Sequence, residues 1–264
     1  MAFEDRAERI AERGNYIKLP DNICLTSQSI HELIDSVYPN ISIHAGDSSY
    51  LMQRGILAPK NTDVQLINST IMNIYPGEEV EYLSADSIDE TQGNNQENIY
   101  PTEFLNSLNV SRLPPHKLSL KIGAPVILLR NINPSEGLCN GTRLVCCSFA
   151  QHVIEVQVIT GKHAGLHTFL PRITLTPSNT TFPFVLKRRQ FPVQPAFAMT
   201  INKAQGQTLN NVGIYLPTPV FSHGQLYVAC SRTTSKQNLK ILTTGQHANA
   251  GYTQNIVYPE VLQS

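Results

Sequence analysis

The chain has 264 residues, 41% hydrophobic and 15% charged, and its 20 basic and 20 acidic residues give zero formal net charge. Such a composition is that of an ordinary globular protein, long enough for one large or two smaller domains with real cores. It excludes a membrane-spanning helix, because no run of about 18 apolar residues occurs, and a signal peptide, because the start MAFEDRAERIAERG has no apolar segment.

In chain order, residues 1–19 read as a charged leader, a helix or tail with no clear apolar face. A loop and a short helix around 31–37 come next. Residues 55–59 (Gly-Ile-Leu-Ala-Pro) read as a buried strand. Asn61 is placed to cap the next helix, and Asp63 complements its positive end. Val64, Ile67, Ile71 and Met72 recur at helical spacing and would face a sheet, and Pro76-Gly77 stops the helix. With a strand over 79–84, this strand, helix, strand order predicts a parallel sheet with crossover helices. Residues 86–97 are polar, contain Gly93-Asn94-Asn95 and read as an exposed loop.

From Leu118 the rhythm changes. Short β runs over 124–130, 142–147, 153–159 and 167–170 are separated by Asn133-Pro134, Asn140-Gly141 and Gly161-Lys162. That spacing predicts hairpins in a small all-β module. The α/β pattern resumes near Phe191. The expected organisation is therefore a leader (1–19), a discontinuous α/β domain (20–117 and 190–264) and an inserted β module (118–189).

The zero net charge hides a split. Residues 1–109 hold 6 lysines and arginines against 17 acidic residues, and residues 110–264 hold 14 against 3. The basic half points to a polyanion, although two halves that neutralise each other would show the same split. The five cysteines include no C-x-x-C, so neither a disulfide framework nor a cysteine metal site is expected, and a reducing compartment is the natural setting. His163 and His167 lie on a glycine-flanked turn without a carboxylate partner in sequence, and no metal site is assigned to them.

The strand over 197–201 leads into Thr200-Ile-Asn-Lys-Ala-Gln-Gly-Gln-Thr208. In open parallel sheets ligands sit beyond the carboxyl ends of strands. This loop offers hydroxyls, amides, one ammonium and a glycine, which suit phosphate oxygens. Composition alone fits a plain polar turn as well. A second strand (212–216) precedes a helix with Ser222 and Gln225 as a capping box and Phe221 with Leu226 as a hydrophobic staple. Arg232 near its end either offsets the helix dipole or reaches a γ-phosphate as an arginine finger. Lys187-Arg188-Arg189, flanked by Phe182, Phe184 and Phe191, is either a solvated cluster or part of a nucleic-acid groove. No G-x-x-x-x-G-K-[ST] occurs, and the Asp89-Glu90 pair follows no buried apolar strand, so neither a P-loop nor a magnesium-binding carboxylate of that kind is apparent.

The runs FAMTINKAQGQTL (197–209) and FSHGQLYVACSR (221–232) resemble the C-terminal motifs of superfamily 1B DNA helicases, most closely the petite-integration-frequency (PIF) helicases and the helicase part of Helitron transposons. ILAPKN (56–61), EYLSADS (81–87), GAPVILLRNINPSEGLCNGTRL (123–144) and LKRRQFPV (186–193) extend the likeness over roughly 20–242. The resemblance implies a second RecA-like domain, of α/β class and without the P-loop, carrying an inserted Src-homology-type barrel. It implies contacts from Thr200, Asn202, Lys203 and, more weakly, Lys60 and Asn61 to single-stranded DNA. It implies that Gln205 and Gly206 couple DNA to nucleotide and that Arg232 is the finger on ATP. ATP and Mg²⁺ would serve the intact family enzyme, a 5′ to 3′ nuclear helicase, with the first RecA-like domain supplied in cis or in trans and no hydrolysis by this chain alone. A non-catalytic single-stranded DNA-binding protein, or a transposon-derived helicase remnant, is the competing expectation. The family commonly has leucine where this chain has Cys230.

Overall fold

The computed structural model describes residues 16–89, 100–110, 112–177, 182–244, 252–258 and 260. These fall into two compact units, one within 1–41, 53–71 and 197–264, the other within 42–52 and 72–196.

The first unit is built on a four-stranded sheet in the order Ala198–Thr200, Arg54–Ala58, Asn211–Leu216, Leu239–Thr243, with every pairing parallel. Gly55, Ile56, Leu57 and Ala58 are all buried, as a strand covered on both faces requires. The Ile30–Val37 helix is capped by Ser29, whose side chain accepts from the His31 N–H, and buries Leu33, Ile34 and Val37. It packs closely because Gly213 carries no side chain: a Cβ there would stand 2.8 Å from Val37 Cγ2 and 3.0 Å from Leu33 Cδ1.

The Asn61–Ile74 helix buries Val64, Ile67, Ile71 and Met72 as the spacing predicts. Asn61 is the first residue of the helix rather than the one before it, and the Lys60 carbonyl accepts from the Val64 N–H. Asn68 on its buried face does the work of a neighbouring strand. Its Oδ1 accepts from the Ala198 N–H at 2.9 Å and its Nδ2 donates to the Ala198 carbonyl at 3.2 Å. The edge strand Ala198–Thr200 is thereby closed to further pairing there. Part of the expected leader is also ordered: Tyr16–Lys18 pairs antiparallel with Tyr252–Gln254, and residues 1–15 lie outside the described residues.

The second unit is antiparallel β. Its main sheet runs Val193–Pro195, Pro125–Leu128, Arg143–Phe149, Val153–Val158, His167–Pro171. A three-stranded sheet joins Ile173–Leu175, Leu186–Gln190 and Ala85–Ile88, and Val80–Leu83 pairs with Lys117–Leu120. The four expected β runs are all present. Two expectations change. Val80–Leu83 pairs antiparallel, so the helix before it is no parallel crossover to that strand. Ala85–Ile88 is a strand rather than part of an exposed loop, because Asp86 and Ile88 both have interior partners; residues 90–97 lie outside the described residues. The β-rich unit accordingly reaches upstream to residue 72, where the sequence pattern places its start at 118.

Candidate nucleic-acid interface

Two parallel neighbours, Arg54–Ala58 and Ala198–Thr200, end side by side, with Ala58 opposite Thr200. Both strands run out into polar residues. Lys60 and Asn61 leave the first strand, and a 3-10 turn, Ile201–Ala204, leaves the second. Ile201 and Ala204 are buried and anchor the turn, while Asn202 is exposed and Thr200 and Lys203 are half-buried. Thr200, Asn202, Lys203, Lys60 and Asn61 therefore share the carboxyl edge of one sheet, the position at which such sheets meet ligands.

The loop is fastened from within. Gln207 Nε2 donates to the Lys203 carbonyl at 3.2 Å, and the Gln207 N–H donates to the Ala204 carbonyl at 3.0 Å. Gly206 has φ +79° with nothing within 4 Å of a hypothetical Cβ, so backbone conformation is what asks for glycine. Gln205 beside it is exposed. Near the same edge, partial burial raises the pKa of Asp63, with the Lys60 charge opposing the shift. Burial, and secondarily the Asp63 charge, raises that of Tyr215.

The helix after this loop is Gln225–Cys230, and its start differs from the expected capping box. Gly224, left-handed at φ 67°, takes the capping position and no side chain caps the helix. The Gly224 N–H donates to the Ile256 carbonyl, and the Tyr258 N–H donates to His223 Nδ1, so the returning chain occupies this end. The staple does not form: Phe221 is 57% exposed while Leu226 is buried. Gln225 is turned back instead. Its Oε1 accepts from the Phe221 N–H at 3.1 Å, and its Nε2 donates to Asn202 Oδ1 at 3.4 Å. Farther along, burial pushes the Cys230 thiol up to about 11.

Arg232 lies just past the helix. Its Nε donates to the Val228 carbonyl at 2.8 Å, which satisfies the helix-end reading. Its Nη1 donates to the carbonyls of Ala204 (3.3 Å) and Gln207 (3.1 Å), and its Nη2 to Ser231 Oγ (2.8 Å). The guanidinium is thus tied to the very loop that carries Gln205 and Gly206. The helix touches that loop at both ends, through Gln225 and through Arg232. Sequence spacing gave no sign of the Gln225 and Gln207 contacts, since both residues read as cap or turn material.

The basic cluster lies on the second unit and separates into three fates. Arg188 is 1% exposed and is no phosphate ligand. Nε and Nη2 hold the Asp86 carboxylate, and the remaining donors go to the carbonyls of Leu105, Leu108 and Pro114. Alternation along Leu186–Gln190 puts Arg188 on the same inner face as Leu186 and Gln190. Lys187 pairs with Asp89 at 3.0 Å, and Arg189 is exposed. The flanking aromatics are packed rather than offered to bases: Phe184 and Phe191 are buried, and Phe182 stacks on Phe184. His167 bonds Glu155 at 3.0 Å, and among the described residues no three His, Cys, Asp or Glu side chains gather as a metal site. Nor, among those residues, is any helix long and apolar enough to cross a membrane.

A family model described as the 2B domain of DNA helicase Pif1 matches residues 103–149. The human ATP-dependent DNA helicase PIF1 is 32% identical over 189 residues, covering 70% of this chain and 26% of that protein. The chain thus spans about a quarter of the length of the curated relatives it matches. The crystal structure of Pif1 helicase from Candida albicans covers 88% of this chain and 55% of its own, with a TM-score of 0.56 at 22% identity. A Bacteroides Pif1 structure in complex with ADP-AlF3 and ssDNA covers 87% and 57%, with a TM-score of 0.52 at 19% identity. The shared fold is a RecA-like parallel sheet with a small antiparallel, barrel-like insert.

Proposed function

We propose, for a chain that belongs to the PIF1 family of DNA helicases and corresponds to its C-terminal part, that it forms the single-stranded-DNA-binding and arginine-finger side of an ATP-driven helicase. The observation that carries the reading is the Arg232 guanidinium on the carbonyls of Ala204 and Gln207, in the loop that presents Thr200, Asn202 and Lys203. One arginine side chain thereby joins a candidate DNA loop to a candidate nucleotide group.

In this reading Thr200, Asn202 and Lys203, with Lys60 and Asn61 alongside, take backbone phosphates at the carboxyl edge. Arg232 faces the γ-phosphate of an ATP whose P-loop half comes from outside this sequence, in cis or in trans. Such a finger stabilises charge in the transition state and supplies roughly 10³–10⁵ in rate. Engaging the phosphate exchanges two neutral carbonyl acceptors for a charged oxygen and loosens the hold on residues 204–207. Gln205 and Gly206 sit in that stretch, which makes it the coupling element between nucleotide and strand. The donor set of Arg232, Gln205 and Gly206 fits phosphate oxygens. It includes no carboxylate of the kind Mg²⁺ takes, so the metal of the intact enzyme belongs to the other half. The 5′ to 3′ direction and a nuclear setting belong to the same reading.

Photocrosslinking of a short single-stranded oligodeoxynucleotide, then peptide mapping, tests it. Adducts are expected in residues 59–61 and 200–207. Adducts confined to 187–189 would instead favour a non-catalytic DNA-binding protein that uses its basic strand. ATP turnover with single-stranded DNA present should be absent from this chain alone. Turnover that disappears in Arg232→Ala would overturn the half-site argument.

A further inference from the structure

Asn202 is exposed at the carboxyl edge, and what it shows a ligand depends on which end of its amide faces outward. Gln225, 3% exposed at the start of its helix, decides this. The Phe221 N–H can only donate, so the Gln225 atom that meets it at 3.1 Å is the oxygen. The other end of the same amide is then an NH₂ group, which can only donate, and it meets Asn202 at 3.4 Å. Only an acceptor complements it, so Asn202 turns Oδ1 inward. Hydrogen-bond logic of this kind is what fixes amide orientation. The NH₂ of Asn202, two donors and no acceptor, is left facing away from Gln225.

We propose that Gln225 is a positioning residue that sets the Asn202 amide so that only N–H donors meet a backbone phosphate of single-stranded DNA at this edge. The proposal rests on the reading of the edge as a DNA-contacting surface. Phosphodiester oxygens accept and never donate, whereas base edges mix both roles. A donor-only face therefore serves the backbone without reading sequence. The proposal also accounts for the residue type. Glutamate would accept from the Phe221 N–H as well as glutamine does, but a carboxylate cannot donate to Asn202 Oδ1. In Gln225→Glu it accepts from the Phe221 N–H and draws the Asn202 NH₂ inward, which turns the oxygen toward the phosphate.

The test is the affinity of the full chain for a labelled single-stranded oligodeoxynucleotide, by fluorescence anisotropy at fixed moderate salt. It uses Gln225→Glu, Gln225→Met and Asn202→Ala alone and in pairs. Gln225→Glu should weaken binding about tenfold, the size of one charge-assisted hydrogen bond. Gln225→Met frees the amide without reversing it and should cost about twofold, near RT ln 2 for a two-way choice. In the Asn202→Ala background the methionine effect should vanish, and the glutamate effect should shrink to the through-space effect of one added charge. A role confined to helix packing would persist in that background. Equal losses in both backgrounds, or no loss from either single variant, would overturn the proposal while leaving the DNA-binding reading intact. A wild-type chain that binds no single-stranded DNA at low salt would overturn that reading and the proposal with it.

Discussion

Arg188 and Lys203 are both cations in motifs that resemble helicase sequences, yet their surroundings separate their roles. Arg188 spends its donors on the Asp86 carboxylate and three carbonyls. Removing one partner of such a buried pair leaves the other charge uncompensated. Arg188→Ala should therefore lower stability by about 3–5 kcal/mol in urea unfolding and leave the DNA affinity of the folded fraction unchanged. A large affinity loss at full stability would return Arg188 to the interface. Cys230 gives a second test at this scale. Its native pKa of about 11 lies above the ~8.5 of a free thiol. Between those values the native chain keeps a proton that the unfolded chain has lost. The stability contributed by the neutral thiol is thus fully present below about pH 8.5 and is lost as pH rises toward 11. At pH 8, alkylation of Cys230 in the native chain should run roughly a hundredfold slower than for a free thiol, because so little thiolate is present. Labelling at the free-thiol rate would contradict that burial.

At the scale of elements, three strands of the parallel sheet and the helices facing it were legible because their signals are local, whereas the edge strand Leu239–Thr243 was not anticipated. A four-residue buried run marks Arg54–Ala58, and apolar residues at helical spacing mark Asn61–Ile74. The misread elements depend on partners distant in sequence. Asp86 looks like a loop residue until Arg188 reaches it, and the 222–225 capping pattern is displaced by a chain segment at 256–258. Asn68 was equally hidden, since nothing local shows a helix asparagine acting as a strand. Asn68→Leu keeps the volume and leaves both backbone groups of Ala198 unpaired. It should cost about 1–3 kcal/mol per group and speed hydrogen exchange at the Ala198 amide. Unchanged exchange there would show that the edge is covered by something else. Gly213→Ala should destabilise by about 1–3 kcal/mol, since its Cβ would press on Val37 and Leu33 in a packed layer.

For the whole molecule, the division of charge is a weaker guide than the placement of individual cations. Residues 110–264 hold 14 of the 20 lysines and arginines, yet Arg188 and Arg143 are buried and Lys187 is paired with Asp89. In the proposed reading, DNA binding falls to a few groups at one sheet edge, with Lys203 the cation in the central loop. The measurement that tests this most directly is the salt dependence of single-stranded DNA affinity for the wild-type chain and Lys203→Ala, with Lys187→Ala beside them. Wild-type affinity should fall linearly on logarithmic axes, and Lys203→Ala should flatten the slope by about 0.7, one phosphate contact on a single strand. Lys187→Ala should leave the slope alone. A Lys203→Ala slope equal to wild type, or no binding at low salt by a chain that still unfolds cooperatively, would contradict the account.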